Sequence, residues 1–431
     1  MNDGDATLVL RNGRIIDPAT GLDRHGDLLI SGSTIVAVGT VDDVPADARI
    51  LDVDGCWVVP GLIDMHVHLR EPGEEYKETI ESGCRAAAAG GFTAVACMPN
   101  TKPVNDCKAI TTYILARAAA AGCVRVYPVA AISKCSAGVE LAEYGELRAA
   151  GAVAVSDDGL PVMNSQLMRR ALEYAATFNM LVISHAEDAN LAAGGVMNEG
   201  ATATRLGLRG IPASAETVMV YRDLALAELT GARLHIAHVS TAEAVACIRR
   251  AKERGVPVTA ETAPHYFTLT EEAVDQYDTN AKMNPPLRTD ADVEAIRQGL
   301  ADGTLDAIAT DHAPHSILEK EVEFDRAANG IVGLETAVPL ALDLVRKGIL
   351  DAAGLVRCLS TNPARILGVP GGSLAPGGMA DVTVIDPEEE YTLEPDNLFS
   401  KGKNSPFLSR PLKGRAVLTI VGGVVRHDLL G

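Results

Sequence analysis

The chain is 431 residues long and carries 38 lysine and arginine against 57 aspartate and glutamate side chains, a formal net charge of −19. That excess of negative charge excludes nucleic acid and anionic membrane surfaces as partners, and any anionic ligand has to be met by local cations. Hydrophobic residues at 47% and charged residues at 22% describe an ordinary globular chain, long enough for one large domain with an appendage or for two domains.

The opening MNDGDATLVLRNGR lacks the basic-then-apolar pattern of a signal peptide, and no strongly apolar run is long enough to span a bilayer, so a cytoplasmic location is expected. Residues 1–60 read as short strands joined by Gly, Asp and Pro turns: Thr7–Leu10, Arg14–Ile16, Asp27–Ile30, Thr34–Val38, Ile50–Val53 and Trp57–Val59. Residues 369–431 repeat the signature at Ala380–Ile385 and Ala416–Val425. Both ends are therefore expected to form one small β-rich domain.

Between them, residues 61–368 alternate short apolar runs with helical stretches, the pattern of βα units. Eight runs are present: Leu62–Leu69, Phe92–Pro99, Val124–Ile132, Ala152–Asp158, Leu181–Ala186, Arg233–Val239, Pro257–Ala263 and Asp306–Asp311. Eight is the number that closes an α/β barrel, so the expected fold is a (β/α)8 TIM-type barrel, with its chemistry at the C-terminal ends of the strands.

In the first run, alternation puts Asp64, His66 and His68 on one face and Ile63, Met65, Val67 and Leu69 on the other. Two imidazoles aimed at one point suit half of a metal site. Taken alone, the dyad also suits a polar barrel lining. The other strand ends change that balance, because Ser156-Asp157-Asp158, Ser184-His185, His235-Ile236-Ala237-His238 and Asp311-His312 place metal-ligand types where a barrel gathers them.

The motifs DMHVHLREPG, GGFTAVACMPNT, SDDG, SHAEDANL, HIAHVS, KMNPPLR, ATDHAPH and NGIVGLET, in this order, resemble the dihydroorotases of the amidohydrolase superfamily, in their bacterial type I branch. The resemblance implies two divalent metal ions, zinc for preference. His66 and His68 would hold one with Asp311, His185 and His238 the other, and Asp158 would bridge them. Strand parity also favours Asp158 over Asp157, since Val153 and Val155 share parity with Asp157 and leave Asp158 on the inward face with Ala154 and Ser156. Related cyclic-amide hydrolases use a carboxylated lysine as bridge, and no lysine lies between Lys134 and Lys252.

The activity implied is reversible cyclisation of N-carbamoyl-L-aspartate to L-dihydroorotate in pyrimidine synthesis, with Asp311 carrying the proton. Arg70 would clamp the substrate carboxylate with Asn100 and His315, while Asn284 and the Asn329-Gly330 backbone would hold the ring's amide edge. A small-molecule substrate is implied, together with a homodimer and aspartate carbamoyltransferase as a further partner. Two alternatives are a non-catalytic subunit scaffolding that carbamoyltransferase and a hydantoinase or allantoinase. His235 and His312 are expected to point away from the metals, toward residues that support the ligands or toward the helices. The approach to Gly330, Arg326-Ala327-Ala328-Asn329, lacks the family's proline, so the loop from Ser316 to Asn329 is expected to be less preordered.

Overall fold

The computed structural model describes residues 7–431, so the first six residues of the expected N-terminal β unit lie outside it. The chain opens with β1 (Thr7–Asp17), β2 (Leu22–Ser31), β3 (Thr34–Gly39), β4 (Arg49–Asp52) and β5 (Trp57–Pro60). What reads as two strands in sequence is the single strand β1, because its pairing with β2 slips between Leu10 and Gly13 and Asn12 takes a left-handed backbone (φ 66°). A bulge absorbs the extra residue without ending the strand.

The barrel strands follow as β6 (Leu62–Val67), β7 (Phe92–Cys97), β8 (Arg125–Ala130), β9 (Ala154–Ser156) and β10 (Leu181–Ser184). After a small parallel pair, β11 (Met197–Asn198) and β12 (Gly210–Ile211), come β13 (Leu234–Ile236), β14 (Val258–Thr262) and β15 (Ala307–Ile308). The eight parallel strands run in the order β15-β14-β13-β10-β9-β8-β7-β6. A parallel bridge from Val67 to His312, with the His68 N–H donating to the His312 carbonyl at 2.8 Å, brings the first strand against the end of the last. The strands are shorter than their apolar runs because the chain leaves the ladder at the polar residues that follow, and those form the mouth.

β16 (Val382–Thr392), β17 (Pro411–Val421) and β18 (Val424–Asp428) complete an eight-stranded sheet in the order β18-β17-β16-β5-β1-β2-β3, with β4 added on β1. The stretch Ala416–Val425, expected as one strand, is split between β17 and β18 by Gly422-Gly423. Both glycines are left-handed, and a Cβ on Gly423 would sit 1.8 Å from the Gly32 carbonyl oxygen. A tight hairpin turn of this kind requires them.

Inside the barrel, Ile63, Met65, Ala94, Ala96, Val129, Ala154, Leu181, Ile183, Ala237 and Ala307 form one apolar cluster, closed from below by Ile366 and Leu367. Val67 and Leu69 pack instead with the layer under the helices. The expected alternation along the first strand is therefore broken: the register slips between Asp64 and Val67, so Ile63 and Met65 join the barrel interior instead of sharing the outer layer with Val67 and Leu69. None of the helices among the described residues is long and apolar enough to cross a membrane.

The chain-end sheet is tied to the barrel by buried and half-buried polar contacts. The Thr383 hydroxyl donates to the Gly91 carbonyl at 2.6 Å and accepts from the Leu62 N–H at 3.3 Å, and Arg125 forks onto Asp381 at 2.9 and 3.2 Å. Thr383→Val keeps the shape but leaves a buried donor and acceptor unpaired, so urea denaturation should show a stability loss of about 1–3 kcal/mol.

Candidate active site

The polar strand ends converge at one mouth. The Asp158 carboxylate lies 3.3 Å from His66 Nε2, 3.5 Å from His68 Nε2, 3.5 Å from His238 Nε2 and 3.7 Å from His185 Nδ1. Asp311 approaches from the eighth strand, 3.1 Å from His68 Nε2 and 3.5 Å from His66 Nε2. Asp157 turns away, accepting from the Ser133 N–H at 3.0 Å. The two aspartates thus diverge as adjacent residues at a strand end must.

Three positions around this mouth need unusual backbone. Arg70 (φ 60°), His238 (φ 35°) and Asp311 (φ 50°) are all left-handed without being glycine. Such residues persist only where surrounding contacts over-determine them, and they cluster at functional sites. His235 points away from the cluster to a supporting contact, as expected: it is buried, 2.8 Å from Thr259 Oγ1 and 3.2 Å from Glu261 Oε2. Glu261 in turn lies 2.9 Å from His66 Nδ1. Sequence reasoning assigned Glu261 no role, although an inward carboxylate in the seventh run was the available signal. His312 does face a helix-side partner, Glu78, at 3.4 Å.

The ring nitrogens are arranged as in a cation site. His66 gives Nδ1 to Glu261 and His68 gives Nδ1 to Asn100 at 2.8 Å, which turns both Nε2 atoms toward the carboxylates. Hydrogen-bonded imidazoles with the other nitrogen bare are what metal ligation uses. His185 Nδ1 and His238 Nε2 stand 2.8 Å apart beside the same carboxylate. His66 Nε2, Asp158 Oδ1 and His185 Nε2 are buried with no aligned hydrogen-bond partner. Two groups, His66-His68-Asp158 and Asp158-His185-His238, each bring ligand atoms close enough to hold an ion. The residues present therefore fit metal binding.

Electrostatics agrees. Burial opposes charge on His66, but Asp158 and Asp311 prevail and hold its pKa well above the usual range. For His185, burial is likewise overcome by Asp158 and Glu187, which raise it to about 10. Burial works against ionised Asp158 and Asp311, yet the neighbouring imidazoles keep both below the ordinary carboxylate range. The cluster demands positive charge, as protons or as a cation.

Beside it opens a cavity of about 190 Å³, lined by His68, Asp158, His185, His238 and Asp311 of this cluster and by Arg70, Asn100, Asn284, His315, Asn329 and Gly330. The buried Arg70 guanidinium donates to the Pro314 carbonyl at 3.2 Å and lies 3.3 Å from His315 Nε2. Asn284 Oδ1 is buried without a partner. The Asn329-Gly330 backbone is partly engaged within the protein, since His315 Nε2 meets the Asn329 carbonyl at 2.8 Å and the Gly330 N–H donates to Lys282 at 3.0 Å. The loop that was expected to be loose for want of a proline is tied instead by two buried lysines. Lys282 Nζ donates to Asp325 and Ala327 carbonyls, and Lys320 Nζ to those of Lys282, Ala328 and Gly330.

A family model described as Dihydro-orotase-like matches residues 55–244. The chain is 60% identical to the dihydroorotase of Anaeromyxobacter dehalogenans (strain 2CP-C) over 98% of both chains. It is 59% identical to that of Syntrophus aciditrophicus (strain SB), covering 98% of this chain and 99% of the relative. Among solved structures it resembles the L-hydantoinase (dihydropyrimidinase) of Arthrobacter aurescens, with a TM-score of 0.87 at 25% identity, over 98% of this chain and 96% of that one. Near-complete mutual coverage at 60% identity, joined to a barrel mouth of this composition, places the chain in the dihydroorotase family.

Proposed function

We propose that this chain interconverts L-dihydroorotate and N-carbamoyl-L-aspartate, closing the ring with loss of water for pyrimidine synthesis in the cytoplasm. The observation that carries this reading is the buried Arg70, a carboxylate-binding cation, on the same small cavity as the histidine–aspartate cluster. His66, His68, His185, His238, Asp158 and Asp311 would hold two divalent ions, zinc by preference, because imidazole and carboxylate donors suit it. Bound there, such cations polarise a carbonyl and acidify water.

The chain's own residues supply the rest. Arg70 offers parallel N–H donors to the substrate carboxylate, with Asn100 and His315 at its flanks. Asn284, whose amide oxygen has no partner in the protein, can accept from a ring N–H. Hydrolysis joins a water oxygen to the ring carbonyl carbon and breaks that carbon's bond to the ring nitrogen. The Asp311 carboxylate, kept ionised by His66 and His68, takes the water proton and passes it to the departing nitrogen. In ring closure the same carboxylate removes the ureido proton, as microscopic reversibility requires.

A hydantoinase-like activity is the second reading, favoured by the fold shared with the Arthrobacter enzyme. Two features oppose it: the fourth strand ends in Asp157-Asp158 with no lysine near, and Arg70 and His315 suit a carboxylate that hydantoin lacks. Steady-state assays of L-dihydroorotate against hydantoin and allantoin decide between them, and turnover of hydantoin alone refutes the main reading.

Chelation should abolish turnover and zinc should restore it, whereas a non-catalytic scaffold would show neither change. Asp311→Ala should lower kcat by about 10³-fold, within the range for losing a general acid–base. Wild-type-like rates would refute its proton-carrying role. Arg70→Met should raise KM for L-dihydroorotate by about 10–100-fold with a smaller change in kcat, the loss of charge-assisted hydrogen bonds.

A further inference from the structure

Gly330 forms part of the cavity wall in a left-handed backbone (φ 122°), and a Cβ there would meet the Ala313 side chain at 2.5 Å. Its carbonyl accepts from two buried side chains, Lys320 Nζ at 3.1 Å and Asn404 Nδ2 at 3.0 Å. Neither of those residues lines the cavity.

Asn404 comes from the connection between β16 and β17, outside the barrel. Its Oδ1 accepts from the His315 N–H at 2.9 Å, while Nδ2 also donates to the Ala313 carbonyl at 3.0 Å. Its own carbonyl accepts from the Val332 N–H at 2.8 Å. One amide thus joins the two segments, 313–315 and 330–332, that flank the cavity. A side chain with both donor and acceptor is needed, because it meets two carbonyls and an N–H.

The Lys320 ammonium is spent on three carbonyls, of Lys282, Ala328 and Gly330, rather than on a carboxylate. An unpaired buried ammonium is unfavourable: burial, aided by Lys282, lowers its pKa to about 7. The compensation is that three otherwise separate backbone carbonyls meet at one point.

We propose that Asn404 and Lys320 are positioning residues that hold the Asn329-Gly330 peptide and His315 in the register needed to recognise substrate. The connection from the chain-end sheet thereby completes the pocket. The assignment rests on the dihydroorotase reading for its substrate, but the clamp itself is a property of the free protein.

Asn404→Ala, Asn404→Asp and Lys320→Met test it in the full-length, metal-loaded protein. The aspartate variant keeps the acceptor for His315 and loses the donor to Ala313 and Gly330, so it should resemble the alanine variant at neutral pH. KM for L-dihydroorotate should rise about tenfold or more while kcat changes less than about threefold and metal content is unchanged. Without substrate, amide hydrogen exchange over 313–316 and 326–333 should accelerate about tenfold or more, with strands β7 and β10 unaffected. An unchanged KM, or unchanged exchange over both segments, overturns the proposal. If Lys320→Met does not fold, the Asn404 variants carry the test. If the wild type fails to turn over L-dihydroorotate, the substrate reading falls while the exchange data still judge the clamp.

Discussion

A buried carboxylate surrounded by imidazoles governs this molecule. Asp158 is 5% exposed, and burial alone would protonate it. It stays ionised because four histidines from three strand ends face it, and two of them, His66 and His185, are drawn toward positive charge by the same proximity. The arrangement is unstable without a cation or protons to share. Its geometry is held from behind: His66 by Glu261, Glu261 by His235, and the turn after strand eight by Asp64, which accepts from the Thr310 N–H at 3.1 Å. Such outer contacts fix ring orientation and tautomer, and so decide where lone pairs point.

The backbone carries part of the cost. Arg70, His238 and Asp311 each occupy a left-handed conformation, worth about 1–3 kcal/mol apiece for residues with a Cβ. They lie beyond the ends of strands one, six and eight, where the ladder no longer dictates direction. Turning the chain at those points lets inward and outward residues of one strand both reach the mouth. Strain there is balanced by the interlocked barrel and by the helix layer outside it.

A hydantoinase shares this architecture at a TM-score of 0.87, so the barrel by itself does not select a substrate. In the proposed reading selection falls to the loops that line the cavity: Arg70 after strand one, His315 after strand eight, and the Asn329-Gly330 segment. The family relationship and the site composition therefore support one reading from independent directions.

Much of this was legible in the linear chain. Eight apolar runs of strand length, each followed by a helical stretch, imply a parallel barrel, because only that arrangement buries both faces of every strand. Polar residues at the ends of those runs mark the mouth, since a residue's place after a strand determines which rim it reaches. Strand parity separated Asp158 from Asp157. It failed where the backbone left the ideal strand, at the slipped register between Asp64 and Val67. Periodicity cannot report such a slip, which arises from packing between strands distant in sequence. The same holds for Glu261 behind His66, for the lysines that fasten the loop before Gly330, and for Asn404. Residue type and local order set which groups are available at the rim. Only the closed three-dimensional packing, by burying them together in a poorly solvated place, decided which of them meet and what charge they carry.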